Sequence, residues 1–171
     1  MSTVKKTKKP SQARPKFYVK ASAAIVKRHV KEVERLQSVI ADHAAKFETE
    51  TSISKRGHHL ASKRFRELDM ERSQKIIALY QSVDSIDAYR DAAYDLEIVQ
   101  SEYDIAGAYV HRDMYQWMAE EYDKISNAGR ALQCRLAVEK ANLNSEAAIE
   151  GATDRMKASQ VAKSLRERGG A

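Results

Sequence analysis

Large side chains recur every seven residues through the middle of this 171-residue chain, and this spacing limits the folds open to it. Five residues follow the spacing without a gap: Tyr89, Leu96, Tyr103, Val110 and Trp117. Smaller residues stand three positions after the first three of them, at Ala92, Val99 and Ala106. Seven residues make nearly two helical turns, so both sets fall on one side of an α-helix. We therefore predict a long helix whose heptad face, formed by the five large residues, is a helix interface.

Helix-breaking residues are few, and the prolines are confined to the start of the chain. Both of them, Pro10 and Pro15, lie in the first 15 residues, and the whole chain has only 6 glycines. A β-sandwich or barrel needs many turns built on glycine and proline, so this distribution argues against either fold. Hydrophobic residues make up 43% of the chain, which is enough for a modest core. The single cysteine, Cys134, excludes a disulfide within the chain.

The helical period of apolar residues predicts three helical regions, at about 22–50, 59–126 and 130–168. Ser22 is the expected N-cap of the first region. Gly57 marks the expected turn that follows it, and a break is expected near Ser145 in the last region. These regions indicate an all-α protein.

Two arrangements of these helices fit the pattern. If residues 59–126 form one helix, the chain is an elongated antiparallel helical hairpin. If that region breaks near 82–85, a compact three- to four-helix bundle results. The elongated form is favoured because residues 82–85 contain neither glycine nor proline. Either form is expected to have coiled-coil character.

Positive charge is concentrated at the N-terminus. Residues 1–20 contain seven basic side chains and no acidic one: Lys5, Lys6, Lys8, Lys9, Arg14, Lys16 and Lys20. The net charge of the whole chain is +6, so all of the excess comes from this segment. Because apolar periodicity is also nearly absent there, residues 1–21 are predicted to be a disordered basic arm that binds a polyanion. Residues 22–168 are predicted to form the folded body.

The body itself alternates in charge. Residues 84–123 contain eleven acidic and two basic side chains, and both flanking segments, 55–75 and 124–171, are net basic. Four aspartates of the acidic segment follow helical spacings of three, four and four, and form an acidic face: Asp84, Asp87, Asp91 and Asp95. Neighbouring like charges destabilise a helix unless something neutralises them. The acidic face is therefore a solvated stripe, a docking face for a basic helix or arm (within the chain or from another copy), or a site for a divalent cation.

Motifs for catalysis or cofactor binding are absent from the sequence. No acidic residue is followed three positions later by histidine, and no two histidines stand four apart, so the usual helical metal motifs are missing. Neither a glycine-rich dinucleotide motif nor a P-loop occurs. His111-Arg112-Asp113 matches a kinase triplet only in its letters, because the other kinase motifs are missing. We expect no enzymatic activity, catalytic residue, metal or cofactor.

The expected function is a structural or assembly protein, a helical component that oligomerises or docks in a larger complex such as a virion. Its basic arm is expected to contact a polyanion. One alternative is sequence-independent nucleic-acid binding through residues 1–20. Another is a peripheral membrane protein, in which the residues around Phe17–Val26 form a basic amphipathic segment.

The sequence has no stretch of about 20 apolar residues that could span a membrane, and no signal peptide is recognisable. We therefore expect a cytoplasmic or virion-interior location. The expected partners are further copies of the chain or a larger protein assembly, with nucleic acid as a candidate partner of the arm.

Overall fold

The computed structural model describes residues 16–169, which form four α-helices joined by short connections. The helices are α1 (Phe17–Thr49), α2 (Ile53–Tyr80), α3 (Ile86–Lys124) and α4 (Ala128–Gly169). No strand occurs in this part of the chain, which confirms the all-α prediction there. Five basic residues of the predicted arm, Lys5, Lys6, Lys8, Lys9 and Arg14, lie outside the described residues.

Each helix packs antiparallel on the next one along the chain, and α4 packs on α3 alone. The first and third helices also meet through two aromatic pairs. Phe47 lies 5.5 Å from Trp117 and Phe17 lies 6.3 Å from Tyr89, measured between ring centroids. The arrangement is an open helical bundle, because one whole side of α4 is left without a covering helix in the described chain.

The start of α1 differs from the prediction. The helix begins at Phe17, not at Ser22, so residues 17–21 belong to the folded body and not to an arm. Ser22 is buried inside the helix, and its hydroxyl has no hydrogen-bond partner among the described residues. Tyr18 explains the earlier start, because its ring is buried in a core cluster and packs edge-on against Phe17. Burying a large aromatic ring is favourable enough to extend the helix to it.

The connection between α1 and α2 is shorter than the predicted turn at residues 51–59. α2 already begins at Ile53, and the Ser52 side chain caps it by accepting a hydrogen bond from the Lys55 backbone N–H. Gly57 is therefore a helical residue. It is buried against α3, where the Sδ atom of Met118 lies 2.6 Å from the place that a Cβ at position 57 would take.

The chain breaks between Tyr80 and Ile86, instead of continuing as the single helix that the elongated form requires. Ser85 caps α3, with its hydroxyl accepting a hydrogen bond from the Ala88 backbone N–H at 3.1 Å. Val83, within the connection, is buried in the same core cluster as Tyr80. The reversal thus needs no glycine or proline, because a serine cap and a buried valine hold it.

Two apolar clusters form the core, one toward each end of the bundle. One cluster joins α2, α3 and the start of α4 through Ala61, Leu68, Val110, Met114, Met118, Ala119 and Cys134. The other joins α1, α2 and α3 through Tyr18, Ile76, Tyr80, Val83, Ala92 and Val99. Between them lies a polar layer, in which Arg72 donates a hydrogen bond to Gln100 at 3.2 Å and Gln100 donates one to Asp104 at 2.8 Å.

Candidate interaction surfaces

The structure places the heptad face of α3 against α1 and α2. Val110 is buried in one core cluster, and Leu96 is half-buried against the other. Tyr89 packs edge-on against Tyr80 at 5.8 Å. The Arg72 guanidinium lies over the Tyr103 ring at 4.2 Å, and Trp117 contacts Phe47 as described above. The five residues therefore pack within the chain, and little of this face is left for another protein.

Three of the four aspartates of the acidic face pair with α4. Both carboxylate oxygens of Asp95 accept hydrogen bonds from Lys163 Nζ at 2.8 Å. Arg166 pairs with Asp91 and lies 3.4 Å from Asp87. Asp84 is exposed in the connection before α3 and has no ion pair among the described residues. The basic helix that occupies most of this face is therefore the C-terminal part of the same chain.

Three more ion pairs continue this contact between α3 and α4. Arg155 pairs with Asp104 at 2.6 Å and with Glu97 at 3.9 Å, and Arg135 pairs with Asp123 near the other end. The pKa of Lys163 is raised, chiefly by its hydrogen bond to Asp95. Exposed pairs of this kind stabilise a protein by only about 0–1 kcal/mol each, so they orient the two helices more than they hold them.

Small residues let α4 approach α3 closely, a feature that the sequence analysis missed. The small-residue face of α4 consists of four buried residues separated by seven or fourteen positions: Ala131, Ser145, Ala152 and Ser159. Val138, half-buried, completes the seven-residue spacing. The repeat is visible in the sequence, but large apolar residues dominate a helical period and small ones are easily overlooked.

Two hydrogen bonds show how close this approach is. Ser145 Oγ donates to the Ala108 carbonyl oxygen at 2.6 Å, and Ser159 Oγ donates to the Tyr94 carbonyl oxygen at 2.9 Å. The two serines are fourteen residues apart, and so are the two carbonyls, so both contacts share one antiparallel register. The side chains of α4 thus reach the backbone of α3 at two points along the interface.

The same packing explains why α4 has no break at Ser145. The helix runs unbroken from Ala128 to Gly169, although asparagines stand at positions 142 and 144. The Ser145 hydroxyl lies 2.7 Å from the Ala141 carbonyl of its own helix as well as contacting α3. A serine whose hydroxyl is hydrogen-bonded within the helix and to α3 does not favour a non-helical backbone, so the helix continues through it.

The opposite side of α4 exposes large aliphatic residues. This outward face consists of Leu132, Leu136, Leu143, Val161 and Leu165, whose exposed fractions lie between 56% and 69%. With 3.6 residues per turn, it stands about opposite the small-residue face. Periodicity alone does not distinguish the two faces, because each of them satisfies the helical period.

A basic surface lies on the N-terminal half of α1. Lys20, Lys27 and Lys31 are exposed and stand seven and four residues apart, so they share one side of the helix. Lys16 is exposed immediately before the helix. The two basic residues of the predicted arm that the structure describes are thus continuous with lysines of the folded body.

Two half-buried histidines of α1, His29 and His43, predict a dependence of stability on pH. Burial is the main cause that lowers the pKa values of His29 and His43 from 6.5, with Arg28 and His59 as the next causes. A base with a lowered pKa stays neutral in the fold, so its contribution to stability is complete above the unfolded value and is lost as the pH falls through the folded value. We expect the free energy of unfolding, measured by urea titration, to fall from pH 7 to about pH 5.

The variant His43→Gln tests whether the histidines cause this dependence of stability on pH. It removes one titrating ring, so its stability should fall less steeply over the same pH range than that of the unaltered protein. Equal slopes for the two proteins would show that other groups, such as the carboxylates, cause the whole dependence.

Metal-ligating and nucleophilic side chains are dispersed over the described helices. No three His, Cys, Asp or Glu side chains among residues 16–169 are placed to hold a metal ion. Cys134 is buried, which raises the pKa of its thiol and disfavours the reactive thiolate. None of the described helices combines the length and the apolar character that crossing a membrane requires.

No protein-family model matches the chain, and neither the curated proteins nor the solved structures include a match to it.

Proposed function

We propose that this protein is a non-enzymatic helical assembly protein that joins copies of itself through the outward face of α4. The observation that supports this is the alignment of five large aliphatic side chains, each more than half exposed, along one side of a single helix. Isolated exposed apolar residues are common, but this face carries two groups of them, Leu132–Leu143 and Val161–Leu165, and grouped apolar residues on a surface favour an interaction site. From Leu132 to Leu165 the face extends about 50 Å at a rise of about 1.5 Å per residue.

The spacing of the face favours a second copy of α4 as its occupant. Leu132 and Leu136 stand four apart near the beginning of the helix, and Val161 and Leu165 stand four apart near its end. Two α4 helices that pack antiparallel about a midpoint between residues 148 and 149 bring Leu132 opposite Leu165 and Leu136 opposite Val161. A two-fold interface requires this self-complementarity.

In a larger complex, such a dimer would be the repeating unit. The heptad register of the α3–α4 contact supports coiled-coil character for this pair of helices. Residues 1–15, with the five basic side chains Lys5, Lys6, Lys8, Lys9 and Arg14, would form an arm that contacts a polyanion. A virion component of this design would assemble through α4 and hold the packaged genome with its arm.

Nucleic-acid binding is a second candidate function, favoured by the exposed Lys16 and Lys20 and by the lysines that follow them on α1. The peripheral-membrane alternative has less support. A membrane-surface helix needs a free apolar face, but Tyr18 is buried and Ile25 and Val26 pack against the same core cluster.

Self-association is tested by replacing two residues of the outward face with lysine. We expect the unaltered protein to sediment as a dimer at micromolar concentration and the double variant Leu136→Lys/Val161→Lys to sediment as a monomer. Lysine is much more costly to bury in an interface than leucine or valine. The matched control, Gln74→Lys/Ala78→Lys, adds the same charge at exposed positions of α2 and should remain a dimer.

The dependence of dimerisation on salt concentration provides a second test of the interface. Glu146, Glu150 and Asp154 lie near the centre of the outward face, where two antiparallel copies would bring carboxylates together. Salt screens such repulsion, so the dimer should strengthen as the salt concentration rises. A monomer at all concentrations and salt levels, or a dimer that both variants leave intact, would refute the proposed interface.

A further inference from the structure

A concave basic site lies between α1 and α2, the two helices that do not pack against α4. This α1–α2 groove has a volume of about 680 Å³. The basic or imidazole side chains that line it come from both helices: Lys27, Arg28, His29, Lys31, Arg35 and Arg72. Glu32 is the one acidic residue in the lining. The groove is therefore a concentration of positive charge on the folded body.

Three of the five lysine and arginine side chains that line this groove have no ion pair within the described chain. Lys27, Arg28 and Lys31 are exposed, and no carboxylate among residues 16–169 lies within ion-pair distance of them. The acidic residue of the lining is already occupied, because Arg35 binds both Glu32 oxygens at 2.6 and 2.9 Å. Like charges four residues apart on a helix destabilise it, so folding alone does not explain this cluster.

The floor of the groove is polar and held in place. Ser73 is buried, and its Oγ lies 3.2 Å from Nδ1 of His29. Arg72 is fixed by Gln100 and Asp69 and by the Tyr103 ring beneath its guanidinium. Donors that are held in this way lose little freedom when an anion binds.

The shape of the basic surface favours an extended anion over a single small one. Lys27, Lys31 and Arg35 are four residues apart, so they follow one another at about 6 Å along α1. Lys20 and Lys16 continue the line beyond the groove, toward the start of α1. A line of cations that leaves a cleft suits a chain of phosphates.

We infer that the α1–α2 groove binds the phosphate backbone of nucleic acid. Lys27, Arg28 and Lys31 contact successive phosphates, above a floor that includes Arg72 and His29. Because these are contacts to the backbone and not to bases, binding depends on salt and not on sequence. The inference does not depend on self-association through α4, and it extends the predicted polyanion contact from the arm to the folded body.

The test uses the full chain, a short fluorescently labelled DNA duplex and a series of salt concentrations. The variant Lys27→Gln/Arg28→Gln/Lys31→Gln is compared with Arg130→Gln/Lys140→Gln/Lys157→Gln, which removes the same charge from exposed positions of α4. Each lost phosphate contact lowers the slope of log affinity against log salt by about 0.9 for duplex DNA. We expect the groove variant to lose between two and three contacts by this measure and the α4 variant to keep the original slope.

A second pair of variants separates the groove from the N-terminal segment. Changing Lys5, Lys6, Lys8, Lys9 and Arg14 to glutamine should weaken binding but leave a salt-dependent remainder, which the three groove changes then remove. Loss of all binding from the N-terminal changes alone, or equal losses in the groove and α4 variants, would overturn the inference. So would binding to phosphatidylserine vesicles with none to DNA.

The two proposals can fail separately. The groove variant should sediment as the unaltered protein does and show the same circular dichroism, because its three side chains are exposed. Dimerisation without DNA binding would refute only the groove, and DNA binding by a monomer would refute only the α4 interface.

Discussion

Replacing Ala152 with leucine is expected to release α4 from α3 while α1, α2 and α3 remain folded. Ala152 is 0% exposed and lies midway between Ser145 and Ser159, which contact the α3 backbone. The same register places it opposite Ser101, also 0% exposed. A leucine there adds three carbon atoms where two backbones are close, and such overpacking costs about 1–3 kcal/mol.

The effect should be local because α4 has no second helix to support it. The ion pairs of Lys163 and Arg166 contribute too little to hold α4 when the small-residue face no longer fits. Native-state hydrogen exchange, resolved by peptide, should show faster exchange across residues 128–169 than in the unaltered protein. The slowest exchange in α2 and α3 should stay nearly unchanged.

The matched control for this change is Ala158→Leu. Position 158 is exposed on the same helix, and leucine and alanine both have high helix propensity. This variant should keep the exchange pattern of the unaltered protein. If the two leucine variants behaved alike, close approach through the small-residue face would not be what joins α4 to α3.

Replacing Gly57 with leucine is expected to lower the free energy of unfolding of the whole bundle by about 3 kcal/mol or more. Even a Cβ at this position would stand 2.6 Å from Sδ and 2.7 Å from Cγ of Met118. Met118 is itself buried in a core cluster, with Met114 Cγ 3.5 Å from the same Cβ position. The methionine side chain is flexible, but the close packing of protein cores limits the space into which it can move.

Urea titration followed by circular dichroism measures this loss, and Gly151→Leu is the control. Position 151 is also helical, but the only side-chain atom near its Cβ position is Arg155 Nη1 at 3.8 Å. Leucine there should stabilise the protein by about 1 kcal/mol, because glycine is a poor helix former. Destabilisation by the same amount at both positions would contradict a specific close contact at Gly57.

Gly57 also shows why local rules misplaced the turn between α1 and α2. In sequence it is the only glycine between positions 21 and 106, surrounded by polar residues, which is typical of a helix–helix turn. In the structure it lies inside α2, where α3 leaves no space for a side chain. A glycine selected for close packing and a glycine selected for a turn are identical in sequence, because the contact that distinguishes them comes from another helix.

The charge pattern was more informative than the position of Gly57. Segments of opposite charge can be recognised in the sequence, and their attraction predicts which helices contact each other. The acidic face at Asp87, Asp91 and Asp95 was recognisable from spacing, and a basic helix was one of its expected occupants. The break near residues 82–85 was one of two alternatives, and the unbroken helix was favoured wrongly, because the break depends on the burial of Val83 among side chains of α2 and α3.

The sequence by itself determined that the described chain is helical and that α3 carries an apolar seam and an acidic face, because periodicity and charge spacing are local properties. Only the tertiary structure decided where the chain reverses and which side of α4 is covered. Both sides of α4 satisfy the helical period, and the side with the larger aliphatic residues would be the expected core. The smaller side is buried instead, because alanine and serine let α4 reach the backbone of α3, and the leucines remain at the surface.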